Sequence, residues 1–241
     1  MMMMNRDNLK FLVPNGITFL SLLSGFAAII SAVEGNIILG AILIFLSYWL
    51  DMLDGFFARK LNAQSEFGLQ LDSLADIVSL GVAPAVLVFQ HLRNHGASML
   101  MALPIVILFV LAGAFRLARF NLLPPKTARS KDSIGLAITQ AGGTLALAVL
   151  ADSVYPTRFL SSLVYIPLIL LLAGLMVSTI PFPPSSWFFS RQRFGRPLLI
   201  LLLLMLVILP TFRTWFVFYL VYILISTGRA LITRFMPRFS L

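Results

Sequence analysis

The chain has 241 residues, of which 59% are hydrophobic and only 11% charged. Soluble domains carry roughly 45–50% apolar and about 25% charged residues, and a mean hydropathy of +0.96 leaves too few polar side chains to cover a water-facing surface. The net charge of +9 and pI near 10.7 would suit a nucleic-acid binder, but the apolar excess excludes that class along with secreted and disordered chains, so no nucleic-acid partner is expected.

The pattern predicts an all-α, polytopic membrane protein, since a span needs about 20 apolar residues. In chain order, helices are expected from Pro14 to Val33, Asn36 to Lys60, Gly68 to Leu92, Ser98 to Asn121, Ser133 to Ala151, Ser161 to Ile180, Pro197 to Leu209, and Thr211 to Phe235, about eight spans in all. The first apolar run continues as a full span, so no cleavable signal peptide is expected. With the N-terminus inside and the loops alternating, 15 of the 18 basic residues fall inside and only Arg93, Arg158 and Arg213 outside. That bias supports an even number of spans and two cytoplasmic termini. Residues 1–241 read as one transmembrane domain, with its polar motif at 51–76 and the last two helices (197–235) peripheral; no internal repeat is evident.

Cysteine is absent, and His91 and His95, the only histidines, share one short polar loop, so thiolate and histidine metal centres are excluded or disfavoured. The acids carry the information. Asp51, Asp54, Asp72 and Asp76 lie inside apolar sequence, where carboxylates are costly and mark function. They occur as Asp51-x-x-Asp54-Gly55-x-x-Ala58-Arg59, eight further residues, then Gly68-x-x-x-Asp72-x-x-x-Asp76. At about 100° per residue, Asp51, Asp54, Gly55 and Ala58 share one helix face, and Gly68, Asp72 and Asp76 share another. Asp54 lies six residues before Lys60 and Asp72 four after Gly68, so both sit within about 10 Å of the cytoplasmic boundary. Four carboxylates that close cannot all stay ionised without cations. Oxygen-only ligation points to hard divalent ions, Mg²⁺ or Mn²⁺ with Ca²⁺ as the alternative, and four carboxylates suit two such ions. Such ions bridge to substrate phosphates, so a phosphate- or pyrophosphate-bearing substrate is expected at the inner membrane surface. The plainer alternative is four acids paired with arginines as packing glue, but only Arg59 is adjacent.

Every fixed position of this motif resembles the signature of the CDP-alcohol phosphotransferase family, whose members are integral to the membrane, transfer a phosphate-bearing group from a CDP-linked donor to an alcohol, and release CMP. The resemblance implies that Asp51, Asp54, Asp72 and Asp76 hold two metal ions. It makes Asp76 the catalytic base that takes the proton of the attacking hydroxyl. Gly55, Ala58 and Gly68 would line the nucleotide site, with Arg59 orienting the acids or holding a phosphate. The Pro14-Asn15-x-x-Thr18 start of the first helix resembles the donor side of the family, which places Asn15 and Thr18 with the CDP-lipid; interhelical hydrogen bonding is the alternative for both.

Three further stretches resemble the branch that joins CDP-diacylglycerol to L-serine: Asp72 to Ala85, Phe115 to Asn121, and Gly174 to Pro183. A serine carboxylate calls for a cation. Arg116 and Arg119 lie one turn apart, level with the acids, and guanidinium pairs bidentately with carboxylate and phosphate. One of the two is expected to bind the serine carboxylate or the lipid phosphate, with snorkelling to headgroups as the alternative. Where the branch usually has Gly-Leu-Pro-x-Pro, this chain reads Gly135-Leu136-Ala137-Ile138-Thr139. Both prolines are absent, which leaves open another alcohol, such as a glycerol phosphate, choline or inositol type, or an archaeal ether-lipid donor. The resemblance also implies a homodimer in the cytoplasmic (inner) membrane with its active site facing the cytoplasm. A divalent-cation transporter using the four acids is the reading from a different class.

Overall fold

The computed structural model describes residues 6–122, 133–157, 159–182 and 211–235. They are almost wholly helical. Helix α1 is Arg6–Val33 and α2 is Ile37–Lys60. The next span is continuous from Glu66 to Asn94 but changes pitch: α3 (Glu66–Asp76) passes into a π-helical turn (Ile77–Val82) and then α4 (Ala83–Asn94). Helix α5 is Met99–Leu122, α6 is Ile138–Ser153, α7 is Ser162–Val177 and α8 is Thr211–Phe235. Two short strands, β1 (Ser133–Ile134) and β2 (Pro181–Phe182), pair antiparallel with Ser133 opposite Phe182.

Five stretches among the described residues are long and apolar enough to cross a membrane: Lys10–Val33, Ile37–Lys60, Glu66–Asn94, Met99–Leu122 and Thr211–Gly228. Helix α7 is a shorter apolar helix. The expected helix from Pro197 to Leu209 lies outside the described residues. The helix expected from Ser133 begins instead at Ile138, because Ser133 and Ile134 pair as a strand and Gly135 turns the chain at φ +76°. The helix expected to reach Ile180 stops at Val177, where Ser178 becomes extended ahead of β2.

Helix α1 packs most extensively on α2. Small residues permit the close approach: a Cβ on Gly40 would lie 3.1 Å from the Ala28 carbonyl oxygen. Hydroxyls tie the pair together, Ser21 Oγ to Ser47 Oγ at 2.7 Å and Ser24 Oγ donating to the Leu43 carbonyl at 2.8 Å. Helix α6 is the central post, with an unbroken buried run from Ala141 to Asp152 packed among α2, α4, α7 and α8. Helix α8, expected at the periphery, lies along α6 and buries Phe216, Phe218, Tyr222 and Ile223.

The π-helical turn has one local cause and one that arrives from α6. Pro84 has no N–H to give the Leu80 carbonyl, which leaves the ladder open there. Gly142 of α6 then seats directly against that carbonyl, where any Cβ would collide with it. Ser79, within the turn, packs on Gly25 and donates to the Ser21 carbonyl at 3.1 Å. The turn immediately follows Asp76, so its contacts with α1 and α6 anchor the end of α3 that carries the acids.

Candidate active site

Asp51 comes from α2, and Asp72 and Asp76 from α3. One carboxylate oxygen from each lies within 4.8 Å of the other two. Helices α2 and α3 barely touch each other along their lengths; α1 packs on both. The splay leaves a cavity of about 660 Å³ between them, with Asp51, Asp54 and Asp72 in its wall. Asp76 is buried behind it at 7% exposure. The connection between α2 and α3 turns through Asn62 at φ +49°, and Ser65 caps α3 by accepting from the Gly68 N–H at 3.0 Å. That cap fixes the start of the helix one turn before Asp72.

Asp54, the fourth expected ligand, stands apart from the three-acid cluster. The Thr18 hydroxyl donates to its Oδ2 at 2.6 Å and lies 3.0 Å from the Pro14 carbonyl. Asn15, Thr18, Gly55, Ala58, Arg59 and Gly68 all line the same cavity. The Arg59 guanidinium folds over Gly55, where a Cβ would be 3.4 Å from Nη1. A Cβ on Gly68 would lie 3.1 Å from Ser65 Oγ and 3.4 Å from Asn15 Oδ1, so glycine keeps that wall open.

The two arginines of α5 separate. Arg116 is 8% exposed and interacts electrostatically with Asp76, Asp51 and Asp72. Its Nε is buried without a hydrogen-bond partner, and its guanidinium carbon sits 5.2 Å from the Phe120 ring centre. Arg119 is half-buried and donates to four backbone carbonyls, those of Val177, Ser178, Ile134 and Met176. The structure thus brings Arg116 to the acids and engages Arg119 elsewhere.

The donor set fits a hard divalent cation. It is all carboxylate oxygen, close enough for one ion to reach three groups, and among the described residues none of these acids is in an ion pair with Lys or Arg. Uncompensated carboxylates buried this closely need positive charge from elsewhere.

Several contributors were not singled out by sequence reasoning. Gln64, Ser65 and Glu66 line the cavity from within the eight-residue spacer. Ser65, three residues before Gly68 at the head of an apolar run, carries a helix-start signal that could have found it. Asn121 Nδ2 donates to Ser73 Oγ at 3.0 Å and pins α5 to α3 beside Asp72; no local pattern announces that contact.

Residues 11–183 match the family model described as CDP-alcohol phosphatidyltransferase. The chain is 35% identical over 198 residues to the CDP-diacylglycerol–serine O-phosphatidyltransferase of Helicobacter pylori, covering 81% of this chain and 80% of the relative. It is 34% identical over 173 residues to the archaetidylserine synthase of Methanothermobacter thermautotrophicus, covering 71% and 69%. It is 34% identical over 181 residues to the CDP-diacylglycerol–serine O-phosphatidyltransferase of Bacillus subtilis, covering 71% and 89%. The matched region takes in every acid of the cluster and both α5 arginines, and it ends before α8.

Proposed function

Since the chain belongs to the CDP-alcohol phosphatidyltransferase family, we propose that it is an integral-membrane enzyme that transfers a phosphatidyl group from CDP-diacylglycerol to L-serine and releases CMP. The observation that carries this reading is the three-carboxylate cluster of Asp51, Asp72 and Asp76 beside a cavity, with the buried cation of Arg116 facing it. The two bacterial relatives are named as serine phosphatidyltransferases and the archaeal one as a synthase of a seryl lipid, which supports serine as the acceptor.

Asp51, Asp54, Asp72 and Asp76 would hold two Mg²⁺ or Mn²⁺ ions. When bound, these ions supply charge neutralisation for the pyrophosphate and for the departing CMP. Asp54 would join the set from its Thr18-held position. The CDP-lipid head lies in the cavity against Gly55, Ala58, Arg59, Gly68, Asn15 and Thr18. Its acyl chains stay in the bilayer. Arg116 takes the serine carboxylate, which answers its unpartnered Nε. Asp76 accepts the proton of the serine hydroxyl. A new bond joins the serine oxygen to the lipid-side phosphorus, the bond from that phosphorus to the CMP oxygen breaks, and CMP leaves with the electron pair. The relative named archaetidylserine synthase favours a second reading of the donor alone, an ether lipid with the same CDP head.

In the same reading the bundle has about eight spans, both termini and the active site face the cytoplasm, and the enzyme is a homodimer in the cytoplasmic membrane. The distribution of basic residues, 15 inside against 3 outside, supports the orientation. The deciding experiment is CMP release by the purified protein with CDP-diacylglycerol, Mn²⁺ or Mg²⁺, and a panel of alcohols. CMP release that depends on serine and falls by about a thousandfold in Asp76→Asn is expected. Release with another alcohol alone would keep the chemistry and displace serine.

A further inference from the structure

Arg119 follows Arg116 by one helical turn, yet both its Nη atoms donate to backbone carbonyls, with its guanidinium carbon 5.9 Å from the Phe115 ring centre. Nη1 donates to the Val177 carbonyl at 2.8 Å, and Nη2 to those of Ser178 at 2.9 Å and of Ile134 and Met176 at 3.3 Å. Met176 and Val177 form the last residues of α7, and Ser178 is its C-cap. Carbonyls at a helix end have no partner within the helix, and a cation there also suits the helix dipole. The neighbouring acceptors are taken by the segment around β1: the Leu136 N–H donates to the Leu175 carbonyl at 3.0 Å, and the Gly135 N–H to the Ile180 carbonyl at 2.8 Å. Gly135 sits in the middle of this clasp at φ +76°. A Cβ there would lie 2.6 Å from the Met176 carbonyl oxygen, 2.8 Å from Arg119 Nη2 and 2.9 Å from the Ser178 carbonyl oxygen. The β1 segment and the end of α7 therefore close from two sides around a guanidinium carried by α5.

The clasp grips α5 a single turn beyond Arg116. Burying a guanidinium with an unpartnered Nε is unfavourable, and a side chain so placed relaxes toward water unless its helix is held. The geometry points to Arg119 as a positioning residue: by binding the end of α7 it fixes the last turn of α5, and with it the place at which Arg116 meets the acceptor. This inference rests on the reading that Arg116 holds the acceptor carboxylate.

The test uses two variants that open the clasp from opposite sides. Arg119→Lys replaces a planar fork with a point charge that cannot span four carbonyls. Gly135→Ala drives a methyl group into those same carbonyls and leaves Arg119 in place. In full-length folded enzyme, each is expected to raise the KM for serine by about ten- to a hundredfold while the KM for CDP-diacylglycerol moves by less than about twofold. The double variant should be no worse than the worse single one, since both break the same unit. If Arg119→Lys does not yield folded protein, Gly135→Ala alone carries the same KM comparison. Unchanged serine KM in folded variants would overturn the inference, as would an equal rise in both KM values. A serine effect in Arg119→Lys with none in Gly135→Ala would also overturn it, by making Arg119 a direct ligand. If the wild type releases CMP with a different alcohol and not with serine, the serine reading fails. An anionic alcohol is then compared by its own KM in the same variants, whereas an alcohol without an anionic group leaves Arg116 nothing to hold and overturns the inference.

Discussion

The two ends of the bundle treat buried charge in opposite ways. At the end away from the acid cluster, Asp152 of α6 meets His91 of α4, Oδ2 to Nε2 at 2.9 Å. Its Oδ1 accepts from the N–H groups of Phe159 at 2.8 Å and Leu160 at 3.2 Å. The adjacent Arg213 is spent in the same manner, on the Ala151 and Thr157 carbonyls and against the rings of Tyr155 and Phe159. These groups stitch α4, α6, α8 and the loop before α7 into one end. At the acid end, three carboxylates crowd together without an ion pair among the described residues, and the nearest buried guanidinium keeps an unpartnered Nε. Charge that holds a fold is matched in the fold. Charge kept unmatched at such a cost is matched by what binds.

Substitutions can break this contrast. The largest effect on stability is expected at the paired end. Asp152→Ala leaves His91 buried without its carboxylate and strips two backbone donors of their acceptor, so it should destabilise the protein by about 3–5 kcal/mol. Thermal unfolding in detergent reads this directly, and an unshifted midpoint would remove the structural role given to the pair. Next in size, Thr18→Val removes the donor that holds Asp54. Hydrogen bonds to charged groups contribute about 1.5–3 kcal/mol, so CMP release should fall roughly ten- to a hundredfold with the fold intact. Full activity would detach Thr18 and Asp54 from the chemistry. The smallest effect has the opposite sign. Asp72→Asn relieves repulsion in the metal-free protein and should stabilise it by about 0.5–2 kcal/mol, while abolishing the added stability that Mn²⁺ gives the wild type by mass action. A metal-free destabilisation of the kind expected for Asp152→Ala would make the acid cluster a structural device.

Much of this was legible in the sequence, for reasons that differ by residue. The spans through α5 and α8 were visible because apolar length is a local property, and their ends matched within a few residues except where a proline or a distant segment intervened. Pro14 illustrates the former: a proline suits the first turn of a helix, whereas α1 runs through it from Arg6. The acids stood out because carboxylates in apolar sequence are rare. Their convergence from two helices followed from helical spacing, although Asp54 is drawn aside by Thr18, a partner 36 residues away. The π-helical turn was not legible. Pro84 is its only local sign, and the rest depends on Gly25 and Gly142 arriving from other helices. Nor could the two α5 arginines be told apart, since the carbonyls that engage Arg119 lie mostly 57 to 59 residues downstream. The late start of α6 has the same origin, a strand pairing between residues 133–134 and 181–182.

In the proposed mechanism the unmatched acids and Arg116 serve transfer of a phosphatidyl group to serine. Its most direct test places the purified protein in vesicles with CDP-diacylglycerol, Mn²⁺ and isotopically labelled L-serine, and follows CMP and labelled lipid together. Equimolar CMP and labelled phosphatidylserine are expected, with both lost in Asp76→Asn and on chelation of the metal. CMP without labelled lipid, or labelled lipid formed undiminished by Asp76→Asn, would contradict it.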